Sequence, residues 1–186
     1  GNPGTTELAI MEAMSKQSRI DYVLGLQEGV VVAMADGYAR ASGKLAAANV
    51  HVAPGLGNAM GALYNAKFYG SPVLLTAGQQ EQGHGLMEPM LYDPLVPIAQ
   101  PMVKWAVDVN RVQDLPRIIH RAAKVALTPP TGPVFLSLPM DVQIGGISYY
   151  REGSGDTGIF QVTDADLASV SPASTIRARD LRSSST

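Results

Sequence analysis

Three side chains that can donate or accept a proton stand close to glycine residues and could do chemistry together. They are the hydroxyl of Thr5, the carboxylate of Glu28 and the imidazole of His51. Burying an uncompensated carboxylate at the mouth of an apolar helix is costly, so we expect Glu28 to meet a partner from outside the chain. With the backbone amides near Gly55 and Gly57, these groups predict a polar site capable of acid–base chemistry.

The elements that must position these groups alternate along the chain between strands and helices. Short apolar runs, rich in β-branched residues and bounded by glycine or proline, predict strands over residues 20–24, 45–52, 72–77, 102–107 and 133–138. Helical periodicity predicts helices over residues 6–15, 27–42, 57–69 and 112–127. This alternation predicts an α/β fold, a doubly wound, mostly parallel sheet with helices on both faces.

In such sheets, ligands bind beyond the carboxyl ends of the strands. Three segments have that placement here: GNPGTT before the first helix, GLQEG after the strand that ends at residue 24, and HVAPGLGN after the next strand. We therefore expect Thr5, Glu28 and His51 to meet at one edge of the sheet.

The helix over residues 27–42 carries Val30, Met34 and Tyr38 at four-residue spacing, with small residues between them. We expect it to be buried on most sides. It and the helix over residues 58–69 are more apolar than the surface of a monomer should be, which predicts packing on a partner and a dimer or tetramer.

Composition excludes several classes of function. Fourteen Lys and Arg against sixteen Asp and Glu give a net charge of −2, without a basic run before the tail, so nucleic acid is not an expected partner. The absence of cysteine excludes disulfides and thiolate chemistry and is compatible with the cytoplasm, the expected location. No leader or membrane-spanning stretch is evident, and no membrane partner is expected.

Composition also divides the chain. Residues 1–142 hold the periodic segments, whereas residues 143–186 are rich in Ser and Thr and poor in large apolar side chains. We expect one domain followed by an irregular linker or disordered tail whose role the sequence does not indicate.

Six segments, in order and spacing, resemble the N-terminal pyrimidine-binding domain of thiamine diphosphate-dependent 2-oxo acid enzymes, and within that family benzoylformate decarboxylases most of all. The segments are GNPGTTEL, LQEGVVVAMADGYARASG, NVHVAPGLGNAMGALYNA, SPVLLTAGQQ, MVKWAVDV and GPVFLSLPMDV. The resemblance covers residues 1–142.

The resemblance implies a thiamine diphosphate-binding fold and a role for Glu28. Family members hold the cofactor's aminopyrimidine nitrogen with a glutamate at this position, which activates the cofactor for decarboxylation or carboligation of a 2-oxo acid. The matching positions Pro3, Gly4 and Asn58 would shape the pyrimidine cleft. His51 matches a proton-shuttling histidine of the family. Thr5 stands where benzoylformate decarboxylase-like members have a serine that meets the substrate carboxylate. Threonine keeps the hydroxyl, but its additional methyl group would narrow the substrate pocket.

The resemblance also implies that half of the site lies elsewhere. Family members bind the diphosphate and Mg²⁺ through a second domain with a GDG motif, which this sequence lacks. The strand expected before GNPG is also missing. The parent protein is then expected to be an enzyme, while this chain alone is expected to be inactive and to assemble with a diphosphate-binding domain. Which 2-oxo acid is used stays open.

Simpler interpretations stand beside these. Glu28 at a helix N-terminus gains about 0.3–1 kcal/mol from the helix dipole without any catalytic role. His51 fits a structural histidine equally well, and Thr5 fits a helix cap. The run Gly55–Gly61 has one residue too many for a dinucleotide fingerprint. His84 and Glu88, four apart, lie among glycine and proline, which does not favour the helix that a metal pair needs.

Overall fold

The computed structural model describes residues 1–145 of the 186. The domain predicted for residues 1–142 lies within this range. Residues 140–145 form a helical segment, in which the buried Gln143 donates a hydrogen bond from Nε2 to the carbonyl oxygen of Leu138 at 2.7 Å. The rest of the predicted tail lies outside the described residues.

Within residues 1–145, four parallel strands form one sheet in the order β1-β2-β4-β3. Their bounds are β1 (Ala46–His51), β2 (Val73–Gln79), β3 (Trp105–Asp108) and β4 (Val134–Pro139). Every residue of the central strand β4 is buried, as expected where helices cover both faces of a parallel sheet.

Besides the helical segment 140–145, the described residues contain five α-helices: α1 (Leu8–Ser15), α2 (Glu28–Ser42), α3 (Val52–Tyr69), α4 (Leu95–Ala99) and α5 (Leu115–Leu127). Residues of α2, α3 and α4 pack on one face of the sheet, and residues of α1 and α5 pack on the other. The predicted doubly wound α/β architecture is therefore confirmed. None of the helices between residues 1 and 145 has the length and apolarity needed to cross a bilayer.

The ends of α2 have local causes. The side chain of the N-cap residue Gln27 accepts a hydrogen bond from the amide of Val30 at 2.9 Å. Gly43 ends the helix in the left-handed conformation with φ 70°, which glycine adopts without steric cost. These two caps place Glu28 at the first residue of the helix.

The strand predicted over residues 20–24 is wrong. This segment has no regular structure, and Ile20, Val23 and Leu24 are more than half exposed. Its parallel pairing is limited to Gly1, whose amino group donates to the carbonyl of Val23 and whose carbonyl accepts from the amide of Gly25. These two hydrogen bonds at a single residue do not form a β-strand pairing.

The buried face of α2 also differs from the prediction. Val30 and Met34 are 53% and 44% exposed, while Val31, Val32 and Ala35 face the core. Val30 and Met34 of the predicted stripe therefore face outward, whereas Tyr38 is partly buried and packs against the core. The expectation that most sides of this helix are buried within the chain is therefore wrong.

Other boundaries shift by a few residues. Helix α3 begins five residues before its predicted start, and β3 begins at Trp105 after a short 3₁₀ turn, Gln100–Met102. Residues Val112–Asp114 form a 3₁₀ turn ahead of α5, whose second residue is Pro116. Proline is tolerated there because the first amides of a helix have no partner within it.

Candidate active site

Glu28 lies at the N-terminus of α2, against the first turns of α3. Asn58 donates from Nδ2 to Oε2 of Glu28 at 3.1 Å. A Cβ built on Gly55 would lie 3.3 Å from Oε1 of Glu28, so glycine at this position lets α3 approach the carboxylate closely. Among the described residues, Oε1 has no hydrogen-bond partner, which leaves one acceptor atom free for a ligand.

The close approach has a cause in the backbone. The segment HVAPGLGN was expected to be a loop, but α3 begins at Val52, directly after the last residue of β1. Val52 makes the transition with φ 44°, a strained conformation for a β-branched residue, and its side chain is fully buried. Gly55 and Asn58 therefore lie within the first two turns of a helix and share its rigidity.

His51 is the last residue of β1, and its ring is held by Glu7. Its Nδ1 lies 2.8 Å from Oε2 of Glu7 and 3.2 Å from the hydroxyl of Thr6. The imidazole is 23% exposed and the Glu7 side chain is 0% exposed, so the histidine stands between a buried carboxylate and the surface.

Two glycines make the space for this pair. A Cβ on Gly4 would lie 2.4 Å from Nδ1 of His51, and one on Gly78 would lie 2.1 Å from Oε1 of Glu7. Gly78 pairs with His51 in the register of β1 and β2, so both residues face the same side of the sheet. Any larger residue at either position would displace the glutamate or the histidine.

The predicted cluster therefore divides into two groups. Glu28 and Asn58 form one group, and Gly4 borders His51 in the other. Pro3 is partly buried beside Gly4. Thr5 is exposed and caps no helix, because Gly4 occupies the N-cap position of the 3₁₀ turn Thr5–Glu7. The cap interpretation of Thr5 is wrong; a substrate contact remains untested.

Sequence reasoning missed Glu7. The signal was present, because Glu7 stands three residues after Gly4 in GNPGTTE, the spacing at which a glutamate side chain turns back to an N-cap amide. Glu7 does accept from the Gly4 amide at 2.7 Å. Its contact with His51, 44 residues along the chain, depends on the fold and was not visible from spacing.

Tyr22 lies beneath the first residues of the chain. Its hydroxyl oxygen is buried and has no hydrogen-bond partner among the described residues. A Cβ on Gly1 would lie 2.0 Å from this oxygen. Burial, and to a smaller extent the negative charge of Glu7, raise the pKa of Tyr22 to about 12.

The alternative sites gain no support. Gly55, Gly57 and Gly61 lie inside α3, so they form no loop that could cradle a pyrophosphate. His84 begins a 3₁₀ turn that ends before Glu88, whose φ of 46° is left-handed. In residues 1–145, no three His, Cys, Asp or Glu residues are grouped to hold a metal ion.

Comparison with known protein families gives the class of this parallel α/β domain. Residues 1–92 match the family described as "Thiamine pyrophosphate enzyme, N-terminal TPP binding domain". This part of the chain belongs to that family, and the predicted resemblance is confirmed.

Individual relatives narrow the class. The chain is 45% identical to benzoylformate decarboxylase of Pseudomonas aeruginosa over 142 residues, which are 76% of this chain and 26% of that protein. It is 34% identical to the mitochondrial acetolactate synthase catalytic subunit of Aspergillus candidus over 145 residues, which are 78% of this chain and 21% of that protein. Both similarities agree with the match to the N-terminal TPP binding domain family.

A solved structure gives the same result. The thiamine diphosphate-dependent 4-hydroxybenzoylformate decarboxylase of Rhodococcus jostii superposes with a TM-score of 0.73 at 42% identity, covering 77% of this chain and 27% of that one. The chain thus spans about a quarter of the length of the relatives that it matches.

Proposed function

We propose that this chain supplies the pyrimidine-binding half of a thiamine diphosphate-dependent decarboxylase or carboligase acting on a 2-oxo acid, of the benzoylformate decarboxylase or acetolactate synthase type. The observation that carries the proposal is the Glu28 carboxylate at the mouth of α2, with one oxygen held by Asn58 and the other free. The family match supports thiamine diphosphate as the cofactor.

The residues present fit an aminopyrimidine ring. Gly55 leaves the free oxygen of Glu28 uncovered, and Asn58 fixes the carboxylate's orientation through the other oxygen. Glu28 would hold or share a proton with a ring nitrogen through Oε1, while Pro3 and Gly4 border the cleft. When bound, the cofactor supplies the electron sink that a 2-oxo acid needs to lose carbon dioxide.

His51 and Thr5 are proposed to act on the substrate. His51 is partly exposed at the carboxyl end of β1, where ligands bind in sheets of this type, and an imidazole ring can both accept and donate a proton. Thr5 is exposed and follows Gly4, which borders His51, and its hydroxyl would meet the substrate carboxylate.

We propose a diphosphate-binding domain, in a second subunit or a separate chain, as the partner that completes the site. Two observations support it. Residues 1–145 hold no grouped metal ligands, so Mg²⁺ and the diphosphate would be held by that partner. Exposed apolar side chains also line the outer faces of α2 and α3.

The same apolar faces favour the alternative that this chain is a non-catalytic module that acts only by assembling with such a domain. Mixing the chain with a separately expressed diphosphate-binding domain, thiamine diphosphate and Mg²⁺ decides between the two proposals. The assay measures carbon dioxide release from benzoylformate, from pyruvate-like acids and from oxalyl thioesters. Release from any of them supports catalysis, and assembly without release supports the module.

Replacing Glu28 by Gln tests the residue assignment. Glutamine keeps the size of the side chain and an oxygen for Asn58 but cannot hold or donate the shared proton, so we expect turnover to fall by at least about 10²-fold, the lower range for general acid–base groups. Glu12→Gln on the surface of α1 is the matched control and should leave turnover unchanged. Activity of Glu28→Gln equal to that of the wild type would refute the role of Glu28.

A further inference from the structure

Glu7 is the most deeply buried charged side chain near the proposed site, and both oxygens of its carboxylate have hydrogen-bond partners. Oε1 accepts a hydrogen bond from the amide of Gly78 at 2.7 Å. Oε2 accepts one from the amide of Gly4 at 2.7 Å and lies 2.8 Å from Nδ1 of His51. The side chain is 0% exposed, so water cannot replace these partners.

These contacts determine which nitrogen of His51 carries its proton. Both backbone amides can only donate, and an ionised carboxylate can only accept. Nδ1 of His51, in contact with Oε2, must therefore be the protonated nitrogen of the neutral ring. The hydroxyl oxygen of Thr6, 3.2 Å from the same nitrogen, can also accept a hydrogen bond from Nδ1–H, so this contact agrees with a proton on Nδ1. Nε2 then keeps a free lone pair.

We propose that Glu7 is a positioning residue that fixes His51 in the Nδ1–H tautomer and so makes Nε2 the nitrogen that exchanges protons in the cleft. The inference rests on the proton-relay role proposed for His51 above. Nε2 is the ring nitrogen that does not contact Glu7. Protons would therefore reach and leave the imidazole through this one nitrogen.

The surroundings are built for this pair. Gly4 lies against the imidazole and Gly78 against the carboxylate, each at a place that a Cβ would fill. The negative charge of Glu7 also acts on Tyr22, because it is one of the causes of the raised pKa of Tyr22. A glutamate that served only to cap the turn at Gly4 would need neither the contact with β2 nor the contact with His51.

The first test is to read the tautomer directly from the wild-type chain. Histidine is labelled with ¹⁵N, and long-range ¹H–¹⁵N correlations are recorded as the pH is raised until the rings are neutral. The chain has three histidines, and His51→Gln identifies the signals of His51 by their loss. We expect a pyrrole-like Nδ1 and a pyridine-like Nε2. A pyridine-like Nδ1 in the wild type would overturn the proposal.

Replacing Glu7 by Gln is the second test. The amide group removes the charge and brings a donor to a site of three donors, so the Nε2–H tautomer of His51 should gain population. Glu12→Gln, the same change on the exposed side of α1, should leave the wild-type tautomer. If Glu7→Gln does not fold, Glu7→Asp keeps the charge and withdraws it by one carbon, and a smaller gain of the Nε2–H tautomer is expected. An unchanged tautomer in a folded variant would contradict the proposal.

The tautomer measurement does not depend on cofactor or substrate. A wild-type Nδ1–H tautomer together with a failed carbon dioxide assay would leave the Glu7–His51 contact intact and refute the catalytic proposal alone. In an active assembly, Glu7→Gln should change the pH dependence of turnover, and Glu7→Asp should restore part of it, whereas a purely structural Glu7 would alter only the amount of folded protein.

Discussion

Glu28 and His51 are held in different ways, and the difference suits the roles proposed for them. Glu28 is held at one oxygen by Asn58 and offers the other oxygen to a ligand. His51 is held at Nδ1 by a fully buried carboxylate. An open acceptor suits the binding of a ring nitrogen, whereas a fixed imidazole suits proton transfer along one direction.

Tyr22 gives a test of the buried charge that does not need the cofactor. Its pKa is raised from 10.0 to about 12, so as the pH rises the unfolded chain loses this proton before the folded chain does. Stability should therefore fall between about pH 10 and 12. With seven tyrosines in the chain, the tyrosinate absorbance of Tyr22→Phe must be subtracted from that of the wild type. The difference should titrate near pH 12; a midpoint near 10 would refute the buried environment.

Gly78 and Gly61 test whether glycine is needed for space or is merely tolerated. A Cβ on Gly78 would lie 2.1 Å from Oε1 of Glu7, so we expect Gly78→Ala to destabilise the fold by about 1–3 kcal/mol. A Cβ on Gly61 would meet nothing within 4 Å, and alanine there should stabilise α3 by about 0.5–1 kcal/mol. Urea unfolding followed by circular dichroism measures both. Equal effects of the two substitutions would contradict the packing described for Glu7.

The alternation of helices and strands could be predicted because apolar periodicity is a local property, and four of the five predicted strands exist. The segment over residues 20–24 failed because its apolar composition says nothing about whether a neighbouring strand is available to pair with it. The start of α3 failed because Pro54, Gly55 and Gly57 indicate a turn locally. Proline fits the first turn of a helix, and Gly55 faces Glu28, so tertiary packing outweighs propensity.

The two halves of the candidate site were predictable to different degrees. Glu28 and Asn58 lie in segments with strong family resemblance, and the structure joins them by a hydrogen bond. The contact between Glu7 and His51 could not be predicted from spacing, because it needs β1 and β2 to be adjacent and Gly78 to lie opposite His51. Sequence patterns indicate elements; the register between strands decides which side chains meet.

One face of α3 is not covered by any other part of the chain that the structure describes. Gly57, Gly61, Tyr64 and Phe68 lie on one side of α3 at spacings of four, three and four, and all are exposed. Phe68 is 71% exposed and stacks on Tyr64 with ring centroids 6.4 Å apart. Small residues next to exposed aromatic rings are typical of a surface that another subunit covers.

We expect Phe68→Gln to weaken assembly without unfolding the domain. The side chain is exposed, so the stability of the chain should change by no more than about 0.5 kcal/mol. Sedimentation velocity over a range of concentrations, with and without a diphosphate-binding domain, measures the assembly. Ile20→Gln, another exposed apolar residue outside α2 and α3, is the control. Equal weakening by both substitutions would refute a specific role for the α3 face.

Helix α3 follows strand β1 directly at the junction of His51 and Val52, so no flexible loop separates His51 from the residues of α3 that contact Glu28. A helix turns by about 100° for each residue, so adding or removing a single residue at this junction would rotate Gly55 and Asn58 away from Glu28. A loop would absorb such a change, but none is present. Evolution or engineering can therefore alter this site by exchanging side chains, while changes of length at this point would break the contacts of Gly55 and Asn58 with the Glu28 carboxylate.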